Sequence, residues 1–404
     1  MSAQARKEIA IFSQFYEPEP CAASNRVAAL ARTLAKSAHR VTVVTGMPTF
    51  PKGEVDAAYR GIKRCVESDG AVRVVRRRAP LARAGSFAAR PRNWLSQAFV
   101  LVWTALTELR GTDTVIVSSP PITMAIPALI ASWRNRAALV VDVRDVFPDM
   151  GVRLGVWRSG SFVARALGFF VDRLYARASL VVAVTQSARD SILARGVPSQ
   201  RVVLAPNGFD FSQAIKPRRR EPRRTFEVAY AGNMGLATGL DIVLDAAKML
   251  RDRPDVRFVL AGGGLDARRL LERIESERLT NVRFLGVLSR AQSLELLSEA
   301  DAAIVPLHGG LEDAIPSKMF DALAVGCPMI LSARGEAVRL LQSSGGGVHV
   351  EPNDGPALAR GIERCLEERG ALEAGAAAGQ AFVRANFDRE RIMLGLAGRI
   401  GALA

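Results

Sequence analysis

Short runs of β-branched residues alternate along the chain with longer stretches whose apolar positions recur at helical spacing, the pattern of βαβ units. In the first half these runs predict strands at 9–13, 41–45, 72–76, 114–118, 139–143, 180–184 and 202–205. Their valine-rich, non-alternating character is that of parallel strands covered on both faces. Between the first two, Val27, Leu30, Ala31 and Leu34 mark one face of a helix with Ser24 as its N-cap candidate. A second series of strands is predicted at 227–231, 256–261, 282–284, 302–305, 329–331 and 348–350. The stretch 206–225 between the two series is rich in proline and arginine and weakly periodic, so it reads as a linker. The prediction is an α/β chain of two doubly wound, Rossmann-like domains, 1–206 and 207–386. A last helical segment, 387–404, can return to the first domain. In such sheets ligands bind at the carboxyl ends of the strands. Two of them facing each other suggest a substrate cleft, which fits transferases, phosphorylases, epimerases and binding proteins.

Composition narrows this reading. With 404 residues, 49% apolar and 24% charged, collagen, coiled-coil and wholly disordered chains are excluded. Cys21, Cys65, Cys327 and Cys365 lie far apart with no CxxC, which argues against a disulfide scaffold or zinc site and suits a reducing cytosol. No apolar run is long enough to span a membrane, and the first twenty residues do not read as a signal peptide. The net charge is +15, but only seven of 55 basic residues are lysine, so it is an arginine skew rather than a nucleic-acid signature. Position says more. Arg73, Arg76, Arg77, Arg78, Arg83, Arg90 and Arg92 fall within an acid-free stretch, 73–92, just before an amphipathic helix at 94–109. That helix offers Trp94, Leu95, Phe99, Val102 and Trp103 for one face. Basic patch plus apolar face predicts contact with an anionic membrane surface. The plainer alternative is a solvated arginine face beside a buried helix.

P-loop, HExxH, GxSxG and DxD patterns are absent, and His39, His308 and His349 are scattered, which disfavours metal-dependent hydrolysis and triad chemistry. His39 reads as the end of a helix. Two strand-to-helix junctions are glycine-rich: Gly232, Asn233 and Gly235 in one, 261–264 in the other. Backbone N–H groups there can approach a phosphate at a helix N-terminus, although a tight turn needs the same glycines. The stretch around 313–321 is more informative. Lys318 follows Pro316 and Ser317 in the first turn of a helix, where a cation is disfavoured unless an anion sits beside it. Asp321 lies three residues on, placed for sugar hydroxyls, and Asp313 precedes the helix. Together they read as a nucleotide-diphosphate pocket; the alternative is a surface Lys–Asp pair with Asp313 as a loop cap. In the first domain Arg26 opens a helix and can meet an acceptor phosphate or solvent. Asp142, Arg144, Asp145 and Asp149 crowd one strand end, for catalysis or as a structural pair. Residues 118–121 form a proline-rich loop.

PNGFD (206–210), AGNMGLATGLD (231–241) and PSKMFDALAVGCP (316–328) resemble retaining glycosyltransferases of family four, which have the GT-B fold. YEPEPCAASNR (16–26), 39–55, SSPP (118–121) and VRDVFPD (143–149) resemble the bacterial fucosamine or amino-sugar transferase branch of surface polysaccharide (lipopolysaccharide O-antigen or capsule) synthesis. The resemblance covers nearly the whole chain. It departs where the family carries two glutamates and this chain has Asp313 and Asp321. The family's donor-binding Arg and Lys align with Asn233 and Thr238, and its His-Asp with Arg144-Asp145. The resemblance implies a metal-independent, retaining hexosyltransferase with no cofactor besides its donor. The donor is a UDP-linked amino sugar and the acceptor a lipid-linked saccharide. By this reading Lys318, Asp313 and Asp145 are catalytic, while Gly232, Asn233, Gly235, Ser317, Lys318 and Asp321 bind the nucleotide sugar. Arg26, Arg144 and Asp145 bind the acceptor. The expected place is the cytoplasm, peripheral on the inner face of the plasma membrane, with no nucleic-acid partner. Rival readings are a nucleotide-sugar epimerase of the same architecture and a non-catalytic sugar-nucleotide-binding subunit.

Overall fold

A computed structural model describes residues 6–50, 53–81, 89–213 and 225–403. The chain forms two compact units, the first of residues 1–207 with 390–404 and the second of residues 208–389.

The first unit is built on strands β1 (Glu8–Phe12), β2 (Arg40–Gly46), β3 (Arg64–Asp69), β4 (Val72–Arg77), β5 (Thr114–Ser119), β6 (Ala138–Val143), β7 (Leu180–Ala183) and β8 (Val202–Leu204). Their order is β3-β4-β2-β1-β5-β6-β7-β8, parallel throughout except for β3 against β4. Strand β3 was not foreseen. Its sequence, RCVESD, alternates exposed and half-buried positions and carries no apolar run, as an antiparallel edge strand does. The central strands β5, β6 and β7 have no exposed position, as expected of strands with helices on both faces, whereas β2 and β4 each expose one arginine. One of those helices is Arg389–Gly401, whose Met393, Leu396, Ala397 and Ile400 pack against Ile9, Ile11, Val27 and Leu34.

The second unit holds an all-parallel sheet of β9 (Phe226–Asn233), β10 (Val256–Gly263), β11 (Val282–Gly286), β12 (Ala302–Pro306), β13 (Met329–Ser332) and β14 (Gly347–Val350). Its order, β11-β10-β9-β12-β13-β14, runs outward in both directions from the β9/β12 pair. The chain therefore reverses its direction of winding there, the place where doubly wound sheets bind ligands.

Of the stretch read as a linker, 214–224 lies outside the described residues. Its start is not a free tether. Phe209 is fully buried, pairs with Asp388 in an isolated bridge, and donates its N–H to the Phe387 carbonyl at 2.8 Å. Arg389 donates to the Gly208 carbonyl at 2.8 Å. So Gly208 and Phe209 are tied to residues 387–389 within the second unit.

Candidate functional site

In the second unit, the two motifs picked out in the sequence meet at the winding reversal. The glycine loop leaves β9 at Asn233, and the helix Ser317–Ala324 follows β12. Lys318 stands in its first turn, and its Nζ lies 4.9 Å from the centre of the Tyr230 ring. Tyr230 is fully buried and its hydroxyl donates to the Asn233 carbonyl, which fixes the ring against the loop. Gly232 is needed for this approach. Its φ is 151°, a conformation side chains rarely adopt, and a Cβ there would sit 2.3 Å from Lys318 Cε. Gly262, at the end of β10, is held as tightly: its Cβ would meet the Gly232 carbonyl oxygen at 1.8 Å.

Lys318 makes no ion pair among the described residues. The i,i+3 pair with Asp321 does not form, because Asp321 turns to Arg290. Arg290 Nη1 and Nη2 each bind one Asp321 oxygen at 2.6 Å, and the guanidinium lies over the Phe209 ring at 5.5 Å. A half-buried, fork-to-fork pair of this kind holds the carboxylate in one orientation. Asp321 thus offers a ribose only its remaining lone pairs, not a free carboxylate. Arg290 was missed in the sequence. The capping box formed by Ser289 and Gln292 marks the start of its helix, but nothing marks a partner 31 residues away. Asp313 is half-buried in the loop before Pro316, and Ser317 is the first residue of the helix.

The first unit places its candidates at the carboxyl ends of β1, β2, β5 and β6, and it changes the reading of two arginines. Arg26 is 2% exposed and its guanidinium clasps Asp142, with Nη2 to Oδ1 at 2.7 Å and Nε to Oδ2 at 2.9 Å. It also donates to the Pro206 carbonyl at 3.2 Å. Arg26 is thereby corrected from an acceptor contact to the clamp between its helix, β6 and the end of the unit. Arg144 spends its Nε on Ser118 Oγ at 3.2 Å and an Nη on the Pro120 carbonyl, so it braces the 118–121 loop. Asp145 beside it has no hydrogen-bond partner among the described residues. Burial pushes its carboxyl above the usual range, and the charge of Arg144 only partly offsets that.

Glu19, unremarked in the sequence, organises this end of the unit. It is 2% exposed and accepts the N–H groups of Thr49 at 2.8 Å, Phe50 at 2.9 Å and Tyr16 at 3.3 Å. One buried carboxylate thus ties the loop after β1 to the loop after β2. Burial raises its pKa, while the three N–H groups and Arg76 work in the opposite direction.

The arginine patch is also corrected. Arg76 is 1% exposed and donates to Glu67 at 2.8 Å. Arg77 and Arg64 both bind Glu108, at 2.7 and 2.6 Å, and Arg73 reaches it at 3.3 Å. Arg76 has its own carboxylate, whereas Arg64, Arg73 and Arg77 share the single Glu108, and all four lie on sheet strands. Arg78 and Arg92 are exposed with no carboxylate partner among the described residues. Arg83 and the side chain of Arg90 lie outside the described residues. Trp94 and Val102 are half-buried, whereas Leu95, Phe99 and Trp103 are exposed.

Comparison with known proteins adds to this geometry. Residues 22–208 match the glycosyl transferase 4-like domain, and residues 211–381 match the glycosyl transferases group 1. The chain belongs to the group 1 glycosyltransferases. It is an enzyme of that class with the GT-B fold. A relative in Escherichia coli (strain K12), WcaI, named as a colanic acid biosynthesis glycosyl transferase, is 26% identical over 378 residues, 89% of this chain and 92% of its own. Among solved structures, the sucrose-phosphate synthase of Thermosynechococcus elongatus superposes with a TM-score of 0.71 at 19% identity over 98% of both chains. The Anabaena protein HepE, in complex with UDP and glucose, does so with a TM-score of 0.68 at 18% identity, over 98% of this chain and all of its own. At these identities the two structures speak for the fold. In this group 1 glycosyltransferase the glycine loop and Lys318 occupy the winding reversal where doubly wound sheets bind nucleotides.

Proposed function

We propose that this glycosyltransferase moves a sugar from a nucleoside diphosphate to a lipid-linked saccharide in cell-surface polysaccharide synthesis, with retention at the anomeric carbon. The observation that carries the proposal is the Lys318 ammonium, held over Tyr230, against the Gly232 backbone and at a helix start, with no ion-pair partner among the described residues. An anionic diphosphate supplies the missing partner. The relatives support a role in surface polysaccharide, and the UDP complex of HepE supports a UDP-linked donor, here proposed to be an amino sugar. Lys318, seated against the 232–235 loop, stabilises the charge that grows on the leaving diphosphate, and no metal ion is needed for that step. The acceptor hydroxyl attacks from the face the diphosphate leaves. The C–O bond to the diphosphate breaks as the new glycosidic bond forms, and the acceptor proton passes to the departing oxygen. Asp313 faces the transferred sugar and Asp145 the acceptor in this scheme. Among the described residues no helix is long and apolar enough to cross a membrane. We place the enzyme on the inner face of the plasma membrane, where a lipid-linked acceptor is presented.

The test is a screen of UDP-, GDP- and ADP-sugars for thermal stabilisation, followed by turnover with and without a chelator. A ligand at 100 times its Kd adds about 2.7 kcal/mol to stability. UDP-sugars should stabilise wild type, and turnover should survive chelation. Conversion of a UDP-sugar with no acceptor present would put an epimerase in place of the transferase.

A further inference from the structure

The helix Ala89–Thr107 exposes Leu95 (54%), Phe99 (80%), Trp103 (62%) and Leu106 at spacings of four, four and three, so they form one continuous stripe. Beside it runs the helix Ala125–Asn135. Thr123 Oγ1, just before that helix, donates to the Trp94 carbonyl at 3.2 Å, and Asn135 Nδ2, at its end, donates to the Leu109 carbonyl at 2.8 Å. The two helices therefore run in the same direction, and Ile126 and Trp133 (72%), seven residues apart, make a second exposed stripe. Where the stripes meet, Pro80, Leu95, Phe99, Val102 and Ile126 line a shallow groove of about 670 Å³ with Arg92 at its edge. Large aromatic side chains this exposed are costly to leave in water.

We infer that these two helices insert into the headgroup region of a phospholipid bilayer, and that the aromatic side chains, not the arginines of β4, carry the binding. Charge around the stripes identifies the occupant. Arg92, Arg134 and Arg136 are exposed and have no carboxylate partner among the described residues, in contrast to Arg73, Arg76 and Arg77. Tryptophan and phenylalanine flanked by unpaired arginine suit the bilayer interface, where rings lie at headgroup depth and guanidinium groups meet phosphate. Every phospholipid carries that phosphate, so neutral bilayers are bound as well and anionic ones more tightly. The inference deepens the proposed lipid-linked acceptor by naming the surface that meets the lipid. Vesicle binding is read without donor or turnover, so its failure and the failure of the transfer reaction are separate results.

The experiment is flotation with vesicles of phosphatidylcholine alone and of phosphatidylcholine mixed with phosphatidylglycerol. Wild type should float with both, and high salt should remove only the extra binding to the mixed vesicles. The double change Phe99→Ser and Trp103→Ser should weaken binding to both by at least about tenfold, since each exposed ring buries a large apolar area on insertion. Its melting temperature should match wild type because both side chains already face solvent. Arg134→Gln with Arg136→Gln should reduce only the preference for phosphatidylglycerol. Three results would overturn the inference: no flotation with phosphatidylcholine, serine variants that float like wild type, or a concentration-dependent dimer that the serine changes abolish.

Discussion

Gly232→Ala tests the site with a single methyl group. The new Cβ would stand 2.3 Å from Lys318 Cε, and an ordinary contact begins near 3.4 Å, so the lysine end must retreat by about 1.1 Å. Because the obstacle is the flexible end of a side chain, the fold can absorb it. The remaining cost is the unfavourable φ of 151°, on the order of 1–3 kcal/mol. The chemical cost is larger. Displacing a charge-stabilising group by about 1 Å lowers turnover on the order of 10²-fold. Removing it outright in Lys318→Ala costs on the order of 10²–10³. The two changes act on the same ammonium, so the double variant should be little slower than Lys318→Ala alone, a coupling that a double-mutant cycle measures directly. The assay is initial-rate turnover at saturating UDP-sugar, with thermal melts alongside. Gly232→Ala at the wild-type rate, or losses that simply multiply in the double variant, would show that the ammonium and the loop do not form one site.

Three further outcomes follow from ion pairs described above. Arg26→Ala strands the buried Asp142 carboxylate and should cost about 3–5 kcal/mol by denaturant melts, whereas Arg26→Met with Asp142→Leu should recover most of the loss. Asp321→Ala should weaken UDP binding in calorimetry and also lower stability by about 1–3 kcal/mol, because Arg290 loses its only carboxylate at hydrogen-bond distance among the described residues. Arg64 chiefly, with Arg77, holds the Glu108 carboxyl at about 2, below its ordinary 4.5. A depressed folded-state pKa means stability that is complete above about pH 4.5 and lost as pH falls toward 2. Glu108→Gln should therefore flatten that part of the acid melting curve and leave turnover unchanged.

The parallel strands were legible because their burial on both faces makes them mostly apolar, as in Val140 and Val141 or Val181 and Val182. The glycine loop and Lys318 were legible as separate motifs, and what joins them is the strand order, which local patterning does not encode. Arginine was the weak point. Polarity alone puts Arg26 and Arg76 on the surface, yet each is buried by a carboxylate, Asp142 lying 116 residues away and Glu67 nine. Such pairing depends on sheet register. Strand β3 escaped for a related reason: its support comes from β4 on one side only, so its sequence keeps its charges. Glu19 escaped because a buried carboxylate bound by backbone N–H groups needs no charged partner in the sequence.

The helix Arg389–Gly401 closes the core of the unit that contains β1, and Lys7 donates to the Leu403 carbonyl. During translation, then, Ile9 and Ile11 leave the ribosome first but wait for Met393, Leu396 and Ile400 until all of residues 208–389 have emerged. The second unit, continuous in sequence, can fold while the first is still missing a wall of its core. A chain stopped after residue 389 would thus present an open apolar surface on its oldest half, the kind of surface that chaperones hold and that aggregates when they do not.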